Sequence, residues 1–243
     1  MNLEYGDIFE ARGRPYHRAM MRHPLARRRE FEQLFARRSL DGGETILDLP
    51  AGGGYLQARV PAGCTVEGYE FTSGFSGEEK VLDPAQPWPL GRFARVVCLA
   101  ALHHIEDKTG FLGKLISHTA PGGMLHVADV AQDSPIATFL DGFVGRFNGT
   151  GHEGAYLDRR MFEHVEGAQV AAYEERDCPW AFGSEAAMLE FCTDLFGLQA
   201  CPPAELLAAL ERHVGIADGA DGPVLNWRLT YVDLVPTSGV WSL

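Results

Sequence analysis

The residues most able to do chemistry fall into two groups. The first is a pair of acids, Asp48 and Glu70, each closing an apolar run and separated by 22 positions. Asp48 leads into Pro50-Ala51-Gly52-Gly53-Gly54, within ILDLPAGGGYL (Ile46–Leu56). Three glycines in a row let the backbone turn sharply and approach a ligand without Cβ clashes. A carboxylate beside such a turn would repel a pyrophosphate. The glycines also lack the G-x-G-x-x-G spacing, and no Gly-Lys-Ser/Thr follows, so neither phosphate-binding loop fits. The arrangement suits a cationic ligand instead. Glu70, within TVEGYEF (Thr65–Phe71), stands where an acid accepts hydrogen bonds from ribose hydroxyls.

The second group supplies bases: His103 and His104 after the run RVVCLAA, and His152, Glu153 and Tyr156 in the loop NGTGHEGAYLDRR. An imidazole titrates near neutrality and is the commonest general base. Each also has a plainer reading. His103 or His104 packs beneath a ligand or caps a helix, and His152 belongs to a surface loop. Adjacent histidines make a poor metal pair on a helix, and H-E-x-x-H is absent, so no metal site is expected.

The elements that must position these groups alternate in type. Thr45–Leu49, Thr65–Phe71, Arg95–Ala101 and Met124–Val130 read as buried strands, and Thr109–His118 as a helix between the last two. Strand and helix alternating at this interval imply a parallel sheet with helices on both faces, an α/β fold. Before it, Pro24–Arg38 reads as helix with Phe31, Leu34 and Phe35 on one face. After it, Ser134 caps a helix with Ile136, Phe139, Leu140, Phe143, Val144 and Phe147 in register. Gln169–Trp180 reads as a strand, Ser184 caps a helix, Pro203–Gly215 is another, and Val224–Val235 is a long final strand.

Composition removes several function classes. With 21 basic and 33 acidic residues the net charge is −12, which disfavours a nucleic-acid partner. The longest apolar run, Val96–Leu102, is far short of the roughly 20 residues that span a bilayer, and no membrane partner is expected. The acidic start MNLEYGDIFE predicts no signal peptide. Five cysteines without a CxxC pair suit a reducing, cytoplasmic setting. Nine of the 18 arginines fall between Arg12 and Arg38. They are read either as a solvated helical face or as a cationic segment closing over an anionic group.

A strand ending in an acid, a glycine turn and a second strand ending in an acid resemble the class I S-adenosylmethionine-dependent methyltransferases. ILDLPAGGGYL is similar to their first motif, with Pro50 where a glycine is usual, and YEF to their ribose-binding acid. VLDPAQPWPLGRFARVVCLAALHHI resembles their adenine loop and fourth strand, and PGGMLHVADV their turn and fifth strand. The likeness covers residues 44–130.

It implies a Rossmann-like fold with a mostly parallel seven-stranded sheet, and S-adenosyl-L-methionine as cofactor. By the same likeness Tyr16, Asp48, Pro50, Ala51, Gly52, Gly53, Glu70, Phe71, Asp83, Pro84, Ala100 and His103 would hold the cofactor, with Asp83 at the adenine amino group. One domain would span 1–243: a helical lid over 1–40, the cofactor core over 44–130, and an acceptor-side half over 131–243. The last would carry a helical insertion at about 184–216. Tyr5, Tyr16 and Arg18 of the lid would close over the ligands, and Phe191 and Phe196 of the insertion would wall an acceptor pocket.

Extra walls favour a small-molecule acceptor, as in bacterial secondary metabolism. The DPPY-like motif of nucleobase amino-methyltransferases is absent. His104, His152 or Tyr156 would serve as base. Alternatives are non-methyl use of the same cofactor, a non-catalytic binding protein, and a nicotinamide-dependent oxidoreductase that Asp48 disfavours. The acceptor and the oligomeric state are not legible.

Overall fold

In the computed structural model, residues 5–163 and 165–237 are described. Strands β1 (Thr45–Asp48), β2 (Thr65–Gly68), β3 (Phe93–Leu99) and β4 (Thr119–Asp129) are mutually parallel, in the order β2-β1-β3-β4. β5 (Ala168–Asp177) and β9 (Arg228–Pro236) complete a six-stranded sheet. β9 lies antiparallel between β4 and β5. The strands alternate their side chains between two cores. Ile46, Val97 and Ala128 enter one, and Leu47, Val96 and Val127 the other, so both faces are covered.

The count corrects the seven strands expected. At the β2 edge the next segment makes a single parallel bridge, Val81 to Glu70. Pro84, Pro87 and Pro89 follow at once, and proline cannot donate to a sheet ladder. The long final strand is also divided. β8 (Pro223–Leu225) joins β6 (Trp180–Ala181) and β7 (Ile216–Asp218) in a small antiparallel sheet, and the chain re-enters the main sheet only at Arg228. Trp227 marks the break, stacking on Trp180 with ring centroids 4.1 Å apart.

Helix α1 (Tyr5–Arg22) lies over the carboxyl ends of the strands, and α2 (Arg28–Leu34) follows. α2 is shorter than the 24–38 segment expected, because residues 23–27 form a separate turn. α3 (Lys108–Ser117) connects β3 to β4 and is capped by Asp107, whose carboxylate accepts from Gly110 N–H at 2.9 Å. After β4, α4 (Pro135–Thr138) runs through a π-helical stretch (Phe139–Val144) into α5 (Gly145–Phe147). α6 (Glu185–Leu195) and α7 (Pro203–His213) lie between β6 and β7. α6 packs on α1, and Arg18 ties them by ion pairing with Asp194 at 2.5 Å.

Candidate active site

The parallel strands deliver their last residues to one edge, the place where an open α/β sheet binds ligands. β1 ends in Asp48, which is 4% exposed and makes no side-chain hydrogen bond with a described residue. Burial, reinforced by the neighbouring Glu70 charge, holds its pKa well above the usual carboxylate range. The chain then turns through Gly52, Gly53 and Gly54, all at positive φ (60°, 101° and 83°), conformations that a side chain would strain.

Glu70 follows β2 and points back into this turn. It accepts from the Gly52 N–H, from Phe71 N–H at 3.2 Å and from the Tyr5 hydroxyl of α1 at 3.2 Å. Burial pushes its pKa up to about 7 despite those three donors. A cavity of about 30 Å³ lies here, walled by Tyr5, Tyr16, Asp48, Pro50, Gly52 and Ala100, among others. Ala100 has φ +52°, unusual for a residue with a Cβ, and its N–H donates to Ala128 at 2.7 Å.

Beyond Ala100 a 3₁₀ turn (Leu102–His104) presents His103 and His104. Asp129, the last residue of β4, accepts from His103 Nδ1–H at 2.8 Å and from the His103 backbone N–H at 3.0 Å. Burial opposes ionisation of Asp129, but these contacts hold its pKa below the usual value. His152 arrives from the glycine-rich loop, its Nδ1–H donating to Asp141 at 3.1 Å. The same carboxylate oxygen accepts from Tyr156 O–H at 2.5 Å and Gly154 N–H at 3.1 Å. Asp141 belongs to the π-helical stretch, which suits the frequent placement of such irregularities at functional sites.

The three imidazoles form a compact group, with centroids 3.9 Å apart for His103–His104, 5.1 Å for His104–His152 and 5.4 Å for His103–His152. Burial, with the neighbouring histidines next, drives the His104 pKa well below its ordinary value. Burial likewise pushes His152 to about 4. Both rings are therefore neutral near pH 7. They separate an open cleft of about 540 Å³ from an inner cavity of about 60 Å³. The inner cavity is walled by Phe9, Arg12, Tyr16, Trp180, Phe196 and Trp227, among others, and shares Phe9, Tyr16, Arg27 and Ala100 with the cavity at Asp48.

Residues 19–183, about two thirds of the chain, match the family described as "Methyltransferase domain". The chain belongs to that methyltransferase family. Structures similar in fold include the Haloferax volcanii chain solved with the Trm112 methyltransferase activator, at 14% identity and TM-score 0.61. That match covers 96% of this chain and 98% of the other. Coclaurine N-methyltransferase bound to N-methylheliamine and S-adenosylhomocysteine matches at 13% identity and TM-score 0.54, over 84% and 69% of the two chains. The [4+2]-cyclase SpnF matches at 16% and 0.54, over 87% and 81%. By sequence, an uncharacterized protein of Synechococcus sp. is 30% identical over 83 residues, 31% of this chain. The matched stretch spans about a fifth (19%) of that relative's length.

The residues at the end of β1 suit S-adenosylmethionine, the cofactor that the sequence resemblance implies. Asp48 is a buried carboxylate without a partner among the described residues, and it faces a cavity walled largely by aromatic and backbone groups. A ligand bearing positive charge and donor groups would satisfy it. Of the positions expected from sequence, Tyr16, Asp48, Pro50, Ala51, Gly52 and Ala100 line that cavity together. Glu70 touches it through Gly52 and Tyr5. Gly53 shapes the turn, and Phe71 packs edge-on against Tyr5 at 5.8 Å. Asp83 and Pro84 are exposed and line none of these cavities, and Asp83 caps its own turn by accepting from Ala85 N–H at 2.8 Å.

His103, which the sequence offers both as a cofactor residue and as a candidate base, packs against His104 and His152. Tyr156 is buried, donates its hydroxyl to Asp141 and stacks on His103 at 5.5 Å. Arg18 holds α6, and Phe191 lies in the core beside Trp180 while Phe196 does wall the inner cavity.

Sequence reasoning missed Arg12, Asp129 and Asp141, and the buried cluster of Arg27, Glu30 and Trp180. In that cluster Glu30 accepts from Arg27 at 2.6 Å and Trp180 Nε1–H at 2.5 Å, and Arg27 donates to Tyr16. Asp129 had a usable signal, since it is another acid closing an apolar strand. Nor did spacing foresee that His152 would join the histidine pair, bringing ligand-capable nitrogens within 4.8 Å of one another. A divalent ion could be drawn to such a trio. The Arg12 guanidinium, close enough to lower both His104 and His152, opposes it.

Proposed function

We propose that the protein transfers a methyl group from S-adenosylmethionine to a small-molecule acceptor lodged between the cofactor cavity and the histidine trio, with His104 as general base. The observation that carries this reading is the neutral His104 ring, free of side-chain hydrogen bonds to described residues, at the junction of the inner cavity and the cleft. The cofactor supplies an already activated methyl on a sulfonium, so the protein's task is alignment and proton removal.

Glu70 would hold the ribose and Asp48 the cationic end, with Asp83 a further candidate at the adenine. The Phe9, Trp180, Phe196 and Trp227 walls would pack against the acceptor's apolar part. His104 would take the acceptor proton. Asp129 fixes the tautomer of His103 by accepting from its Nδ1–H, and Asp141 does the same for His152. His152 would be an alternative base, and Tyr156 a positioning residue that holds Asp141.

The −12 charge and the aromatic walls of the inner cavity support a small molecule over a nucleic acid, in the manner of secondary-metabolite tailoring. A cytoplasmic location is in keeping with five free cysteines. No helix among the described residues is long and apolar enough to cross a membrane. The test is incubation with S-adenosylmethionine and a panel of small hydroxyl, amine and carbon acids, followed by product analysis. Release of S-adenosylhomocysteine with a methylated acceptor supports the reading. Release of methylthioadenosine would assign other alkyl chemistry, and cofactor binding without turnover a non-catalytic role.

A further inference from the structure

Arg12, in the middle of α1, is 8% exposed. Its Nη2 reaches the Leu195 carbonyl at a long 3.4 Å, while Nε and Nη1 are sealed from solvent with no partner among the described residues. The guanidinium otherwise rests over the Phe9 ring, 5.0 Å from its centroid. The other two arginines buried among the described residues are both paired: Arg27 with Glu30 at 2.6 Å and Arg95 with Glu44 at 2.8 Å. Burial lowers the Arg12 pKa only to about 10, so the cation persists at neutral pH. A buried charge without a counter-charge is strongly unfavourable, and an anionic ligand at the guanidinium would supply one.

The place of Arg12 indicates which ligand. It borders the inner cavity with His103, His104, His152 and Phe196. It is absent from the walls of the cavity at Asp48. The two acids nearest the inner cavity are engaged elsewhere, Glu30 by Arg27 and Trp180, and Asp129 by His103.

We propose that the acceptor carries a carboxylate on an apolar or aromatic body, and that Arg12 binds this carboxylate and so sets acceptor specificity. The proposal rests on the methyltransferase reading for the word acceptor, but the anion site itself does not depend on turnover. A planar guanidinium matches a carboxylate, and the surrounding Phe9, Leu140, Phe196 and Trp227 match an apolar body.

The experiment uses the full chain, alone and loaded with S-adenosylhomocysteine. Benzoate and phenylacetate are titrated calorimetrically against their neutral counterparts, benzamide and phenylacetamide. The wild type should prefer the carboxylates by about tenfold or more, the scale of one charge-assisted hydrogen bond. Arg12→Met should erase that preference and leave S-adenosylhomocysteine affinity within about twofold, well inside the change one such bond makes. Equal binding of acid and amide by the wild type would overturn the proposal, as would no binding of either acid or a preference that survives in Arg12→Met. A tenfold loss of S-adenosylhomocysteine affinity in the variant would also overturn it, assigning the guanidinium to the cofactor's own carboxylate. If Arg12→Met does not fold, the wild-type acid–amide comparison still decides. Failure of the wild type to bind S-adenosylhomocysteine would count against the methyltransferase reading alone, since the acid–amide comparison is also made on the free chain.

Discussion

Glu70 should act against the stability of the ligand-free protein while serving its cofactor, and Glu70→Gln separates the two effects. In the folded chain burial raises its pKa from 4.5 to about 7. A carboxyl with a raised folded pKa contributes stability that is full below the unfolded value and is lost as pH climbs through the folded one. The window therefore runs from about pH 4.5 to 7, and at about 1.4 kcal/mol per pKa unit the loss is roughly 3 kcal/mol. Glutamine does not titrate, so the variant is spared that loss. It forfeits part of the hydrogen bonding from Gly52, Phe71 and Tyr5, about 1 kcal/mol.

Net, Glu70→Gln should be more stable than wild type at pH 8 by about 2 kcal/mol and slightly less stable at pH 5. For a chain of this size that is a rise in Tm of roughly 4–8 °C at the higher pH. Thermal and urea unfolding at both pH values, without ligand, read this directly. The same variant should bind S-adenosylhomocysteine about tenfold to a hundredfold more weakly by calorimetry at pH 8, the scale of a hydrogen bond to a charged group. A stability difference between variant and wild type that does not change with pH would refute the burial argument. Unchanged affinity would remove Glu70 from the site.

Asp48→Asn should weaken S-adenosylmethionine more than the neutral-sulfur product S-adenosylhomocysteine, and equal losses in paired titrations would contradict the charge argument. His104→Gln should lower kcat by about 10²–10⁴ with cofactor saturating, whereas a change confined to KM would leave it a positioning role. Because burial holds the His104 pKa below 6.5, the acid limb of kcat/KM against pH should have its midpoint under 6.5, and a midpoint above that value would exclude His104 as the base. Glu30→Gln leaves Arg27 buried without its counter-charge and should cost about 3–5 kcal/mol in urea unfolding; a loss under about 1 kcal/mol, the level of an exposed pair, would show that the interior there is hydrated.

What was legible in the sequence was local. ILDLPAGGGYL and YEF carry the acids, the glycine turn and both strand ends within short windows, and six of the residues named from the resemblance share one cavity wall. The seventh strand came with the family resemblance and not from a strand-like run, and at the β2 edge only Val81 bridges to Glu70 before prolines deny a ladder its donors. The 224–235 run reads as one strand by residue type, yet the chain leaves the strand at Asn226–Trp227, where Trp227 stacks on Trp180. The histidine trio and Arg12 are products of tertiary structure. His152 lies 48 positions beyond His104, and nothing in a run of nine arginines distinguishes the two that turn inward, Arg12 and Arg27.

Helix α1 touches both halves of the site. Tyr5 reaches Glu70, Tyr16 stands in the walls of both cavities, and Arg12 belongs to the inner one. It also meets the loop after β2 so closely that a Cβ on Gly74 would lie 2.2 Å from the Phe9 carbonyl oxygen. Were the helix to lift from that loop as ligands exchange, whichever ligand settled first would bear the entropy of seating it. The second would then bind to a helix already in place. Reciprocity follows from thermodynamic linkage: cofactor and acceptor would then each tighten the other by the same factor, with no contact between them required.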